Sequence, residues 1–317
     1  MVQGDPQATR AIRRGLVLPG GAALGAFQAG ALKAIREAGI EFHIIAATSI
    51  GLVHALAWNR GEEFVARLDG RWRKDAAEFA PFDPKRLLRL KNPFSFGKSL
   101  DKLFSQYRST QPNVGDKGTI PILISLTEAA TGRNVAFSVS EPGLSAAVRT
   151  DAYRAATTIP VLGDAPIEIR GKRYYDGGFS NNVPIDYFAD ADLDEIWIVD
   201  PIPSLPARVW HAPLWRVAKA LRSATKNPWF LGAAGVALQY FGPREKTVPG
   251  KKLVTIQLEL KGSFRYAALA GALTFAPKQI DLLLSLGYRQ ARRTCRDYLE
   301  NQATAPSRTA APAAAIA

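Results

Sequence analysis

A short apolar run that ends in a proline and two glycines, and then passes into a helix, constrains this chain more than any other feature. The stretch is LVLPGGAALGAFQAGALKAI, residues 16–35. Pro19 has no amide hydrogen for a sheet, and Gly20 and Gly21 bring no side chain to pack in one, so a strand ends there. From Gly25 small and apolar residues recur with helical spacing, which predicts a helix over about 25–38. FHIIAATS, residues 42–49, repeats the pattern, an apolar strand running into a helix from about Ile50. Two consecutive strand–helix units call for a parallel sheet, and both turns then emerge at its carboxyl edge.

Further strand-like runs are GLVLP itself, IPILISLTEA, NVAFSVS, EIWIVD and, late in the chain, KLVTIQLEL; helical patterns cover Trp215 to Thr225 and Pro277 to Glu300. The expected fold is α/β, a three-layer α/β/α sandwich with a mainly parallel central sheet. The expected organisation is a loose tail over 1–12, a catalytic core over 13–200, a mainly helical extension over 201–300 packed on or capping that core, and a disordered Ala/Pro-rich tail over 301–317. Long connections after Arg60 and after Pro201 read as caps over a site.

Chemistry is narrowed by what the chain holds few of. Cys295 is its single cysteine, which excludes a disulfide framework or a cysteine-built zinc site, and three histidines, His43, His54 and His211, leave little for a metal. We therefore expect no metal and no cofactor. The N-terminus has no apolar signal core, and the longest apolar run, Trp229 to Leu238, is well short of the roughly 20 residues a spanning helix needs. A cytoplasmic protein, soluble or peripheral on a membrane, is the expectation. The formal charge of +13 attracts polyanions, either nucleic acid or an anionic bilayer, and serves solubility equally well.

The glycine turn reads three ways. A phosphate-binding loop needs Gly-Lys-Ser/Thr at the helix start, where this chain has Leu24, Gly25 and Ala26. A dinucleotide fingerprint wants a third glycine at Ala22 and an acidic residue ending the second strand, which instead ends AATSIG. The third reading is an oxyanion hole built from the amides of Gly20, Gly21 and Ala22.

That reading depends on Ser49. It sits between strand and helix with small residues two before and two after it, Ala47 and Gly51, the layout of a nucleophile elbow. The bland alternative is an ordinary helix N-cap. A nucleophilic serine needs a base. His54 lies on the same helix turned about 140° from Ser49 at 3.6 residues per turn, and His43 sits early in the strand, so both read as packing or surface histidines. His211 lies in a Trp-rich segment outside the apparent core and stays the one serious histidine candidate for the base. A better base is Asp176 in KRYYDGGFSNNVPIDYF, where Gly177 and Gly178 allow a sharp turn; the alternative is a solvated aspartate in a loop.

The three pieces in this order resemble the patatin-like phospholipase family, whose pattern is a glycine-rich oxyanion turn, a G-x-S-x-G serine and a D-G-[GA] aspartate. GAFQAGALKAIREAGI and NNVP extend the likeness, which covers residues 13–200. It implies a patatin-like fold and a Ser-Asp dyad, with Ser49 as nucleophile, Asp176 as base, the amides after Pro19 as oxyanion donors, and Gly25, Gly51, Gly177 and Gly178 as supporting turns. It implies a lipid or acyl-ester substrate; the basic charge adds an anionic membrane surface as a partner, and with no recognisable reader motif in the chain no nucleic acid is expected. Three positions depart from the pattern: Ala22 for the third glycine, Leu24 for the usual arginine, and Ala47 for the first glycine of the elbow. An esterase or thioesterase on soluble substrates, and a silent relative that binds acyl chains or membranes, stay open as alternatives. PKRLLRLKNPFSFGK and RVWHAPLWRVAKALRSATKNPWF are the candidate bilayer contacts.

Overall fold

The structure is a computed structural model and describes residues 10–75, 119–159, 165–203, 247–260 and 275–304. Its frame is one eight-stranded sheet. In chain order the strands are β1 (Arg14–Leu18), β2 (Ile44–Ala47), β3 (Ile122–Glu128), β4 (Asn134–Ser138), β5 (Ile167–Ile169), β6 (Lys172–Asp176), β7 (Glu195–Asp200) and β8 (Lys252–Gln257). The helices are α1 (Gly25–Glu37), α2 (Ile50–Asn59), α3 (Glu62–Ala66), α4 (Leu68–Asp75), α5 (Ala146–Ala155) and α6 (Pro277–Thr304).

The sheet runs β5-β6-β3-β2-β1-β7-β8, with β4 also paired to β3. Pairings β3–β2, β2–β1, β1–β7 and β7–β8 are parallel, while β4, β5 and β6 join antiparallel at one side. Composition follows position. Every residue of central β7, EIWIVD, is buried, because a central parallel strand is covered on both faces. Edge strand β8, KLVTIQ, buries only Val254 and Ile256, half-buries Leu253 and Gln257, and exposes Lys252 and Thr255.

One face of the sheet packs Leu16, Leu18, Ile124 and Leu126 against the helices in the larger apolar cluster. The other face packs Val17, Ala46, Ile196 and Ile198 under the short 3-10 helix Ile185–Phe188. These layers and the parallel centre are the α/β architecture expected from the sequence. The two opening strand–helix units, β3, β4, β7, β8 and α6 also fall where the sequence placed them. Among described residues no helix is long and apolar enough to cross a membrane. The helix expected over Trp215 to Thr225, most of both cap segments, the run Trp229 to Leu238, both basic-aromatic stretches and most of the two tails lie outside the described residues.

At the amino edge Arg14 pairs with buried Glu195 at 3.1 Å, and Tyr298 of α6 donates to the same carboxylate at 2.8 Å. Further along, α6 lies against α1 at backbone contact. A Cβ on Gly30 would fall 2.1 Å from the Leu284 carbonyl oxygen, and one on Gly287 would fall 1.9 Å from that of Phe27. Each glycine is the hollow into which the other helix settles. Gly287→Ala and Gly30→Ala should each lower the urea-unfolding free energy by about 1–3 kcal/mol or more, as overpacking does. Gly70→Ala, at a helical position with open space around it, should instead be neutral or stabilising by up to about 1 kcal/mol.

Candidate functional site

The site exists because two strands end nose to nose. Leu123 and Ile124 of β3 pair with β4 on one side and with β2 on the other. Leu126 and Thr127 also pair with β4, and their free side takes β6. So β2 and β6 share one edge of β3 and run toward each other, β2 stopping at Ala47 opposite Ile124 and β6 at Asp176 opposite Leu126. Only Ser125 separates the two levels. Both chains must turn off the sheet there, one into Thr48 and Ser49, the other into Gly177 and Gly178.

Ser49 has φ 53° and ψ −125°, a left-handed value rare for a residue with a side chain. Such a conformation costs of order 1–3 kcal/mol and persists only where its surroundings impose it. Here Thr48 donates to the Leu18 carbonyl at 3.0 Å, and the amides of Gly51 and Leu52 close onto the carbonyls of Thr48 and Ser49 at 2.8 and 2.9 Å. Gly51 presses on β1 so closely that a Cβ would lie 2.0 Å from the Leu18 oxygen. Ser49 occupies the N-cap position of α2, yet its hydroxyl makes no capping bond. It lies beside the Asp176 carboxyl instead, close enough to pull that group's pKa down.

Asp176 is buried and not a solvated loop residue. Burial pushes its carboxyl pKa up to about 7, against the opposing pull of the hydrogen bonds from Ser49 and from the Gly178 amide. The Gly178 bond to Oδ1 is 2.8 Å. The Thr127 hydroxyl holds the Asp176 carbonyl at 2.8 Å. A Cβ on Gly177 would lie 2.2 Å from the Ser125 carbonyl, so the turn closes directly over the gap between the strand ends.

The glycine turn faces the serine: a Cβ on Gly20 would stand 2.9 Å from that of Ser49. The Gly20 amide is already engaged, donating to Asn182 Oδ1 at 3.0 Å, while Asn182 Nδ2 donates back to the Gly20 carbonyl at 3.3 Å. The amides of Gly21 and Ala22 donate to nothing among the described residues. Ala22 has φ 49°, so this departure from glycine does fall where a side chain is strained. Leu24 is wholly buried in the apolar cluster, Gly25 opens α1, and Ala47 is a buried strand residue.

Sequence reasoning missed the support around the aspartate. Asn134 donates through Nδ2 to Ser125 Oγ at 2.8 Å, Ser180 Oγ at 2.9 Å and the Leu126 carbonyl at 3.1 Å, and accepts from Tyr187. Ser125 Oγ in turn donates to the Asn181 carbonyl at 2.9 Å. The only signal was SNN following D-G-G, read simply as an ordered turn. The histidines stay away from the dyad as expected: His43 accepts the Arg14 amide at the amino edge, and buried His54 bonds to Gln28 and Trp72. His211 lies outside the described residues.

A strained serine lifted off a parallel sheet, beside a buried carboxylate and facing the amides of a glycine turn, has the backbone layout of a nucleophile elbow. The sequence profile described as "Patatin-like phospholipase" matches residues 16–189, more than half of the chain. The chain belongs to the patatin-like phospholipase family, a lipid acyl hydrolase at family level. Solved structures similar to it include VipD from Legionella pneumophila, at 13% identity and TM-score 0.45, with 91% of this chain and 68% of that one covered. Another is the complex of SpcU with ExoU from Pseudomonas aeruginosa, at 15% identity and TM-score 0.44, with 94% of this chain covered. A second ExoU structure matches at 14% identity and TM-score 0.37 over 90% of this chain. The chain spans 53% and 54% of the two ExoU chains.

Ala22→Gly should raise the unfolding free energy by about 1 kcal/mol by relieving the left-handed strain, whereas β-branched Ala22→Val should lower it. Asp176→Asn should stabilise the fold in a pH-dependent way. With its folded pKa about 7, above the unfolded value of about 3.9, Asp176 keeps its proton in the folded state longer than in the unfolded one. Its contribution to stability is therefore full below about pH 4 and lost as pH rises through about 7. The gap in melting temperature between Asp176→Asn and the parent should widen across that window and level off above it.

Proposed function

We propose that the chain is a metal-independent serine acyl hydrolase that cleaves acyl esters of membrane lipids, of phospholipase A or lysophospholipase type, through Ser49, Asp176 and an acyl-enzyme. The observation that carries this reading is Ser49, held in a strained turn at a helix start that its side chain does not cap, with its hydroxyl beside the buried Asp176 carboxyl. Asp176 takes the Ser49 proton as Oγ attacks the acyl carbonyl. The carbonyl oxygen becomes an oxyanion, accepted by the Gly21 and Ala22 amides, while the Gly20 amide stays with Asn182. Collapse expels the alcohol, which leaves with the proton from Asp176. Water then attacks the acyl-enzyme, Asp176 takes its proton, and the fatty acid departs as Ser49 is restored.

Burial makes Asp176 suited to this work. A carboxylate with an ordinary pKa is too weak a base for a serine hydroxyl, and raising it to about 7 brings the base near the working pH. The basic-aromatic stretches remain our candidates for holding the protein on an anionic bilayer.

The test is product analysis after incubation with mixed phospholipid vesicles, beside turnover of a short-chain p-nitrophenyl ester. Release of fatty acid from vesicles supports the lipid reading, and turnover of the soluble ester alone replaces it with an esterase. Ser49→Ala should abolish both. Asp176→Asn should lower kcat by about 10⁴-fold, the loss seen when an aspartate is removed from a serine triad. His43→Gln should stay within a few-fold of the parent. The parent's kcat/KM should rise with pH to a plateau above about 7, following ionisation of Asp176. A flat profile, or an active Asp176→Asn, overturns the dyad.

A further inference from the structure

A line of three polar side chains runs through the apolar layer between α4 and the glycine turn. Gln28, wholly buried on α1, donates through Nε2 to two carbonyls, Pro19 at 2.7 Å and Val199 at 3.0 Å. Its Oε1 lies 2.8 Å from His54 Nδ1 on α2, and the Trp72 indole of α4 donates to His54 Nε2 at 3.1 Å. The two ends of the line fix its direction. Carbonyls only accept and an indole N–H only donates, so Gln28 must present its NH₂ to the turn and its oxygen to the histidine. His54 is then neutral, with its proton on Nδ1 and its Nε2 lone pair toward Trp72. Burial agrees, holding its pKa at about 3.

The line ends on the peptide that opens the glycine turn. Its carbonyl, Pro19, is held by Gln28, and its amide, Gly20, by Asn182. A peptide unit is planar, so two bonds on opposite sides leave that plane no freedom to rotate. The next plane carries the Gly21 amide, and Asn182 holds its carbonyl as well. The Val199 bond adds the end of β7, fixing the spacing between β7 and the turn that follows β1. A fully satisfied buried network is rigid, and a dry core offers no water to replace a missing member.

We propose that Trp72, His54 and Gln28 form a positioning relay that aims the Gly21 and Ala22 amides, making Gln28 and His54 positioning residues for the reaction at Ser49. The proposal rests on the acyl hydrolase reading of the site. None of the three exchanges a proton with substrate. Gln28 sets the first peptide plane, His54 keeps the Gln28 amide from flipping, and Trp72 keeps His54 in the tautomer that does so. Cutting the line at His54 leaves the buried Gln28 Oε1 without its partner, so the side chain shifts toward another donor, loosens its hold on the Pro19 carbonyl and tilts the amides.

The test reads two rates on folded protein: kcat for a short-chain p-nitrophenyl ester, and labelling of Ser49 by a fluorophosphonate, whose attack also builds charge in the oxyanion hole. His54→Leu and Gln28→Leu should lower both by about 10- to 100-fold, the scale of a misplaced oxyanion donor. KM should stay within about two-fold and the pH midpoint set by Asp176 should not move, since neither binding nor the base is altered. His54→Gln, which offers an oxygen to Trp72 and an NH₂ to Gln28, should recover to within about three-fold of the parent. Should the leucine variants fail to fold, Trp72→Phe still decides: it keeps the ring stacked on Phe275, 6.2 Å away and 9° from parallel, and removes only the donor. It should lower both rates by about two- to five-fold. Parent-like rates in His54→Leu or Trp72→Phe, or equal losses in His54→Leu and His54→Gln, overturn the relay. Ser49→Ala run alongside separates the two ideas. If it still hydrolyses ester, the acyl hydrolase reading falls and takes the relay with it; if it is dead while the relay variants match the parent, only the relay falls.

Discussion

β3 is long enough to pair with two strands placed end to end along one of its edges, and the rest of the site depends on that. β2 arrives parallel and β6 antiparallel, so their carboxyl ends converge on the level of Ser125. Neither strand can go further without running into the other. The chain is forced off the sheet twice at one point, and the residues at the two departures are Ser49 and Asp176. Their approach is therefore set by sheet register, the least deformable coordinate of the fold, and not by the reach of two flexible side chains. Asn182 then ties the glycine turn to the aspartate loop, so the third element is located against the other two.

The arrangement holds two costs in one place. Ser49 keeps an unfavourable φ, and Asp176 keeps a carboxyl out of water. Each is tolerated because large neighbouring contributions oppose it: the Leu18 carbonyl and Gly51 lock the elbow, and Thr127, Asn134 and Gly178 occupy the polar groups near the aspartate. Strain and desolvation point toward the same chemistry. In the proposed reaction the first presents an oxygen nucleophile clear of the sheet, and the second gives it a partner that wants its proton.

What could be read in the sequence was what is local. A strand that breaks at P-G-G, a serine flanked by Ala47 and Gly51, and an aspartate before two glycines each carry a backbone requirement within a few residues. Those requirements placed β1, α1, β2 and α2 within a few residues of their bounds. The meeting of β2 with β6 was not legible, since β6 looked like a pair of tyrosines and its antiparallel register against β3 is a long-range choice. α5 escaped for a related reason: AAVRTDAYRA buries only Ala152, Tyr153 and Ala155, too sparse a stripe to stand out. Gln28 did carry a signal that went unused, a lone amide in a run of small and apolar residues that the helix buries on every side. His54 was read as a packing histidine, and packed it is, though between two hydrogen-bond partners.

The glycine pair between α1 and α6 sets the order in which the molecule can assemble. Gly30 and Gly287 are separated by most of the chain, yet the surface of α1 that follows the glycine turn is completed only by α6. Contacts of such sequence separation form late and slow a fold, because a long loop must close before they repay its entropy. During synthesis, the turn and the elbow leave the ribosome well before the helix that buttresses them. Until α6 docks, a nascent chain that already holds Ser49 and Asp176 lacks the rigid platform beneath the turn.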